Sequence, residues 1–420
     1  MAAPAPARSS RRRRVAWWVG GVLLLLALLT LDLAPAVPAP PPPRPEQVEA
    51  VRGVARTVRN ALNATGGRTT LVVDTPQMAA AAVLVSRLDR VGRVAAQVED
   101  GTLRLTLSRR LIGPIWLNGH ATVLPTARGF PPIALRLGRL PLGRTLSGWV
   151  IRTGASLARR RGIKLPPLDT LVRSARFDRG TAVVAVTFPL RSGLIDSLPS
   201  LQQAPVDAVA VRFVYCRLIR ADARAPVADL ATVVARAFAP LPGRLPVREQ
   251  NRARFVALAM YAVSPAVGRL APDAQNADAR CPGQRTEPML VGRADLAKHW
   301  TLSAALAVTL GEDVGRAMGE WKELADSRPA DGEGFSFVDL AADRAGLAAA
   351  RRGADAGQAD AVAARLRGAR EDDLLPLHAL ALSEGLSEAQ FIARYRNVDS
   401  RRFGAASARI DRVIAQTVGR

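Results

Sequence analysis

Lysine, histidine and cysteine are nearly missing from this chain of 420 residues. Lys164, Lys298 and Lys322 are its only lysines, so arginine supplies the other 56 of the 59 basic residues. Such a bias marks a G+C-rich coding sequence, yet two of the surviving lysines adjoin His299 and Glu323. Three histidines exclude a site built from several imidazoles unless distant segments converge, so a bound metal would need mostly carboxylate ligands. Two cysteines without a C-x-x-C spacing exclude a zinc ribbon and a thioredoxin-like redox pair. In an oxidising compartment Cys216 and Cys281 can close one disulfide, although spacing alone does not bring their side chains together. A P-loop, a G-x-S-x-G elbow, an H-E-x-x-H helix and a dinucleotide-binding glycine fingerprint are all missing. Aromatic residues make up 5%, which leaves the core to aliphatic packing.

Charge is plentiful but unevenly placed. The chain carries +23 overall, yet residues 295–420 hold 17 basic and 19 acidic side chains, and residues 46–293 hold about +20. A field of that sign attracts polyanions, and the N-terminus indicates which kind. Arg8 and Arg11–Arg14 precede the uncharged run VAWWVGGVLLLLALLTL, Val15–Leu31, which as a helix would reach about 26 Å. Together with residues up to Leu33 it reads as a transmembrane helix, with the basic tail 1–14 cytoplasmic and the bulk of the chain outside. Ala34-Pro35-Ala36 has the small-x-small shape of a processing site, so a cleaved signal peptide competes with a retained anchor. The length of the apolar run and the surrounding prolines favour the anchor. Export to the periplasm makes nucleic acid an unsuitable partner and leaves anionic lipid or wall polymer for the basic face; solvated arginine on a G+C-biased protein is the plain alternative.

After the anchor, the proline-rich stretch 34–45 reads as an extended linker. Residues 46–200 mix helices near 78–90 and 146–161 with period-two strands: LRLTLS, IWLNGHATVL, ALRLGRL and TAVVAVTF. In the second of these, Ile115, Leu117, Ala121 and Val123 alternate with Trp116, Asn118, His120 and Thr122, which predicts a strand whose second set faces solvent. Strands without regular intervening helices predict an α+β domain with an antiparallel sheet. Residues 201–420 read as all-α. Phe255, Leu258, Ala259 and Ala262 form an apolar stripe, helices are expected at 293–310, 312–326, 338–352, 355–368, 387–396 and 404–417, and Ser387 with Gln390 forms a capping-box pattern.

The chemistry-bearing residues cluster in that helical half. Asp295, His299 and Ser303 recur every four residues, which puts them near one helix face and makes Asp295 a candidate acceptor that fixes the imidazole tautomer. Glu323 and Asp326 lie three apart on the next helix, and Asp339 and Asp343 four apart on the one after. Packed together, the three helices would gather His299, Glu323, Asp326, Asp339 and Asp343 into one candidate catalytic cluster. Such a cluster suits general acid–base work or a hard cation such as Mg²⁺ or Ca²⁺; no cofactor is specified. The structural alternative has Asp339 capping its helix, Asp343 paired with Arg344 or Arg351 at the surface, and Lys298 and Lys322 neutralising the acids. His120 sits on the polar side of a strand, and His378, in LLPLHALAL, reads as a packing histidine.

The order KH…S…KEL.DS…G.GFSF.DLAAD.AG resembles the signature of small, uncharacterised periplasmic lipoproteins of bacteria. More distantly it resembles the acidic motifs of VanZ-like membrane proteins. With LSEAQFIARYRNVDS…IDRVI behind it, the arrangement is also similar to larger proteobacterial proteins of the envelope, over residues 245–420. The matching positions are His299, Lys322, Glu323, Asp326, Phe335, Ser336, Asp339 and Asp343. No lipobox cysteine stands near the N-terminus, so the apolar helix would replace the lipid anchor. The resemblance implies an envelope location and brings no activity with it.

Overall fold

The computed structural model describes residues 8–63, 68–88, 92–160, 167–187, 206–243, 245–271, 274, 277–328 and 333–418. The chain divides into two units. Residues 1–41, 53–157 and 166–190 form the first, and residues 42–52, 158–165 and 191–420 form the second.

The first unit is α+β and antiparallel. It begins with α1 (Arg8–Thr30) and β1 (Leu31–Asp32), followed by α2 (Pro45–Asn63), which is shared between the units. Then come β2 (Arg68–Asp74), α3 (Thr75–Leu88), β3 (Gly92–Glu99), β4 (Thr102–Ile112), β5 (Ile115–Val123), β6 (Ile133–Leu137) and β7 (Leu140–Leu142). α4 (Arg144–Arg160), α5 (Leu168–Leu171), β8 (Val172–Asp178) and β9 (Thr181–Thr187) complete it. One sheet runs β3-β4-β5-β6-β7 with β1 added beside β5, and the other runs β2-β9-β8. The hairpins β3–β4 and β8–β9 turn on Asp100-Gly101 and Arg179-Gly180, all four at positive φ, the paired left-handed geometry that matches strand twist. Met78, Val123, Ala175, Phe177 and Ala182 form a core against which Val98, Leu103 and Leu105 pack.

Two expectations for this unit need correction. Trp116 and Asn118, placed on the solvent face of their strand by alternation, are buried. The cause is the start of the proline-rich stretch, which is fastened across the sheet instead of running free. Asn118 Oδ1 accepts from the Ala36 amide (3.0 Å) and the Ser108 hydroxyl (2.7 Å). Its Nδ2 donates to Asp32 (2.8 Å) and to the Ala34 carbonyl (3.0 Å), while Ser108 Oγ accepts from the Val37 amide at 3.0 Å. Secondly, α1 stops at Thr30, short of the expected Leu33, because Leu31 and Asp32 pair with Leu117 and Trp116 as a strand. Among the described residues no helix is long and apolar enough to cross a membrane, and the described side chains of α1 begin at Trp17.

The second unit is helical: α6 (Ala208–Arg224), α7 (Leu230–Phe238), α8 (Val247–Ala262), α9 (Ala277–Arg280), α10 (Ala294–Leu310), α11 (Glu312–Asp326), α12 (Phe337–Ala354), α13 (Ala359–Arg367), α14 (Glu371–Leu374), α15 (Glu388–Tyr395) and α16 (Arg401–Val418). These helices match the sequence pattern closely, including the Ser387–Gln390 capping box at the start of α15. The expected stripe on α8 is instead burial on every side from Asn251 to Ala262. Most of its polar groups are satisfied internally: Asn251 Nδ2 donates to the Gly353 and Ala359 carbonyls, and the Arg252 guanidinium donates to the Val308 carbonyl and to Glu249, while the buried Arg254 Nε has no partner among the described residues. α10 and α12 approach so closely that a Cβ on Gly346 would collide with the Trp300 carbonyl, so only glycine fits there.

Cys216 of α6 is bonded to Cys281, 65 positions further along the chain, with Cα atoms 5.4 Å apart. Closing a loop of that length removes chain entropy worth roughly 4 kcal/mol from the unfolded state. The paired substitution Cys216→Ser/Cys281→Ser is therefore expected to lower the free energy of unfolding by up to about that amount. Chemical denaturation of the oxidised protein, the reduced protein and the variant measures it, and the last two should coincide.

Candidate functional site

The spacing of acids along α11 and α12 and of His299 on α10 becomes a three-dimensional cluster because three helices meet at these turns. His299 and Ser303 lie one turn apart on α10. Asp343 reaches them from α12: its Oδ1 stands 3.0 Å from His299 Nδ1 and accepts the Ser303 hydroxyl at 2.6 Å. One turn earlier on α12, Asp339 Oδ2 lies 3.3 Å from His299 Nε2, and Glu323 Oε1 of α11 lies 3.8 Å from the same nitrogen. His299, Glu323, Asp339 and Asp343 are all buried.

Each acid is itself held. Glu323 accepts the Lys322 ammonium at 2.9 Å on one oxygen and the Ser336 amide at 3.1 Å on the other. Ser336 Oγ caps α12 by accepting the Asp339 amide, and Arg293 Nη2 lies 3.2 Å from Asp339 Oδ1 and 2.6 Å from Glu384. The Gly-Phe-Ser-Phe segment earns its place here through backbone and packing. Phe335 exchanges both backbone hydrogen bonds with Leu386, and Phe335 and Phe337 sink among Phe391, Tyr395 and Phe403, which fixes Ser336 between Glu323 and Asp339. Asp343 Oδ2 has no partner among the described residues, and it lies against Gly319, where a Cβ would come within 2.5 Å.

Of the five sequence-predicted residues, the structure brings Glu323, Asp339 and Asp343 around the ring of His299 and leaves Asp326 outside. Asp326 pairs with Lys322 (2.8 Å) and Arg52 (3.1 Å) and does not reach the imidazole. Asp295 is not the orienting acceptor; it pairs with Arg293, and Asp343 takes that role. Of the structural alternatives, only the neutralisation by Lys322 holds. Asp339 leaves capping to Ser336, Asp343 is buried, Arg344 binds Glu320 and Asp411, and Arg351 lies near Glu312. Lys322 does neutralise Glu323 and Asp326, while Lys298 binds Glu287 elsewhere. His378 is exposed rather than packed, on a short turn. Arg293 and Glu384 went unrecognised, since Glu384 is 48 residues from Ser336 and no periodicity links them.

A cavity of about 300 Å³ opens beside the cluster, lined by Glu323, Asp339, Asp326, Glu333, Glu384 and Lys322 among others. His299 is not part of the lining and lies beyond Glu323 and Asp339, which touch both the ring and the cavity. Five carboxylates and one lysine line this space, with Arg293 and Arg52 paired to three of the carboxylates from outside the lining. The electrostatics are those of a proton held in a nest of acids. Burial opposes the charged ring, but the Asp343 charge and hydrogen bonds to Asp339 and Asp343 outweigh it and raise His299 to about 10. Burial pushes Glu323 up to about 7 against the pull of Lys322, with the Asp339 charge adding to the rise. Asp339 is also desolvated, yet its bond to His299 and the charges of His299 and Lys322 leave it below the ordinary carboxylate range.

Three donor atoms, from His299, Glu323 and Asp339, lie within 4.8 Å of one another. Donors about 2.0–2.2 Å from a tetrahedral zinc-class ion sit roughly 3.2–3.6 Å apart, close to the separations found at His299 Nε2. Asp343 on Nδ1 then occupies the outer position that orients a ligating imidazole.

Metal-free protein should lose stability as pH rises. The folded-state pKa of His299 lies above the ordinary 6.5, so its stabilisation is complete below that value and fades as pH climbs toward 10. The folded state also retains the Glu323 proton after the unfolded chain has released it, so that contribution declines as pH rises through the window from 4.5 to about 7. Melting temperature should fall steadily from about pH 5 to about pH 9 in the presence of a chelator, and His299→Gln should flatten the upper half of the curve.

No family model matches the chain, and neither a curated protein nor a solved structure matches it.

Proposed function

We propose that this chain is a membrane-tethered protein of the bacterial envelope whose helical unit holds a divalent-cation centre of the metal-assisted hydrolase class. The observation that carries the proposal is the approach of His299 Nε2, Glu323 Oε1 and Asp339 Oδ2 to one another with Asp343 behind the ring. Three protein donors leave at least one coordination position for water, the mark of a working rather than a closed structural zinc site. A bound ion of this class lowers the pKa of its water toward ~7 and supplies a nucleophile. The protein's own part is to fix the donors. Asp343 sets the imidazole, the Ser336 amide and Lys322 set Glu323, and Arg293 sets Asp339.

The tether, the periplasmic side and the single pass rest on the arginine run before the uncharged segment Val15–Leu31. They are supported by the Cys216–Cys281 disulfide, which persists in oxidising compartments, and by the resemblance of the KH…KEL…GFSF segment to periplasmic lipoproteins. A second role belongs to the basic α+β residues, whose charge suits anionic lipid or wall polymer and, on this side of a membrane, not nucleic acid.

Calorimetric titration of chelator-treated full-length protein with Zn²⁺ tests the centre. One ion should bind per chain with release of between one and two protons at pH 7, and more tightly as pH rises, because the ion replaces the His299 proton and the share of a proton that Glu323 retains. His299→Ala and Asp339→Asn should abolish binding, while Asp326→Asn should preserve it. Gly319→Ala adds a good helix former on α11, yet should weaken the ion's affinity about 10–100-fold by displacing Asp343. Hydrolysis of a panel of ester, amide and phosphoester model substrates should require Zn²⁺ and vanish in Glu323→Gln. Stoichiometric binding that survives in His299→Ala would assign the ion to another place.

A further inference from the structure

We infer that the end of the α+β unit from which α1 leaves rests directly on an anionic bilayer, with Leu33, Leu111 and Ile112 inserted at the headgroup level. The inference builds on the tether proposed above and replaces the extended linker expected at residues 34–45 with a close approach to the membrane.

The topology puts these residues together. α1 passes without a linker into β1, which pairs with Leu117 and Trp116 of β5, and the Arg139 amide in the β6–β7 turn donates to the Leu29 carbonyl at 2.8 Å. β1 runs toward the tip of the β4–β5 hairpin, where Ile112 stands opposite Ile115, one residue or roughly 3.3 Å of strand beyond Trp116, so Leu33 and the tip lie at one end of the sheet. The first residues after β1 are strapped back over the sheet by Asn118 and Ser108, so this junction has no slack. The Arg110 guanidinium donates to the Gly113 carbonyl at 2.7 Å, which stiffens the tip itself.

The side chains presented there are wrong for water. Ile112 and Leu33 are each 79% exposed and Leu111 48%, beside an α1 whose Trp17, Trp18, Val22, Leu24, Leu25 and Leu28 are uncovered on successive faces. A helix apolar all round needs an apolar medium, and a tip three residues wide beside it reaches the same medium. Arg110 and Arg139 are exposed around the tip against the single nearby carboxylate of Asp32, so the rim carries net positive charge. Apolar side chains ringed by arginine match the boundary between acyl chains and anionic headgroups. A protein partner would need on the order of 1,000 Å² of contact, far more than this tip offers.

Because both native cysteines are joined, a single introduced cysteine can carry an environment-sensitive fluorophore. Full-length Ile112→Cys, Arg128→Cys and Val22→Cys are labelled and reconstituted into vesicles of phosphatidylcholine and phosphatidylglycerol, with and without doxyl-labelled lipid. Arg128 lies on the loop joining β5 to β6, at the opposite end of the sheet, and serves as the control. The expected result is strong quenching of the label at 22, blue-shifted and shallow quenching at 112, and none at 128. Quenching at 22 with a water-like, unquenched label at 112 would overturn this inference and leave the tether standing. An unquenched label at 22 would overturn both. Replacing phosphatidylglycerol with neutral lipid should reduce quenching at 112 and leave that at 22 unchanged; equal quenching at 112 in neutral vesicles would remove the role of the arginine rim.

Discussion

A charged imidazole cannot be buried alone, and the helical unit is arranged around that constraint. His299 is shut away between α10, α11 and α12, and both ring nitrogens face carboxylates. An isolated ion in such a place would cost several kcal/mol of lost hydration, and an isolated carboxylate pair would repel. Together they are tolerable when the remaining oxygens find donors, which all but Asp343 Oδ2 do. Ser303, Ser336 and Lys322 supply most of those donors. The packing that permits this is specific: α12 must come close enough to α10 that residue 346 has no side chain, and close enough to α11 that residue 319 has none.

Aromatic residues, scarce overall, are concentrated where this arrangement is most exposed to failure. The segment that enters α12 is a loop, and loops hold side chains less precisely than helices. Here Phe335 and Phe337 are clamped among Phe391, Tyr395 and Phe403, with ring centroids 4.5–6.0 Å apart for the phenylalanine pairs. Packed rings at those distances immobilise the backbone between them. Ser336 thereby offers its amide to Glu323 and its hydroxyl to the first turn of α12 at the same time. The motif is thus chemical at its acids and mechanical at its phenylalanines.

Helical periodicity made much of this readable in the sequence. The helix ranges from 293 onward follow from where apolar positions repeat, and the residues on one turn of α10 or α12 follow from spacing alone. What spacing does not encode is which helix faces which. Asp295 satisfied every local criterion for orienting His299, yet it turns to Arg293, because the nearest acid in space comes from α12, 44 residues away. The sheet failed in the same way. Alternation assigned Trp116 and Asn118 to water, but it carries no information about a proline strap from residues 34–37 lying across them. Asn118 was legible only as a polar residue, while its four hydrogen bonds join three separate stretches of chain.

The donor set also decides between kinds of cation. The acids alone suggested Mg²⁺ or Ca²⁺, which prefer six or more oxygens and retain water readily. The geometry instead offers one imidazole nitrogen with two carboxylates, and the nitrogen's other side is locked by Asp343. Imidazole favours zinc and the later first-row ions over hard cations. The raised affinity of His299 for its proton marks the same place as one of concentrated negative potential, to which the Asp343 charge at Nδ1 contributes most. A divalent cation competes for that potential with twice the charge and no need for hydration on the protein side. In the proposed centre proton and metal would be rival occupants of one seat, and acidity would work against the metal there.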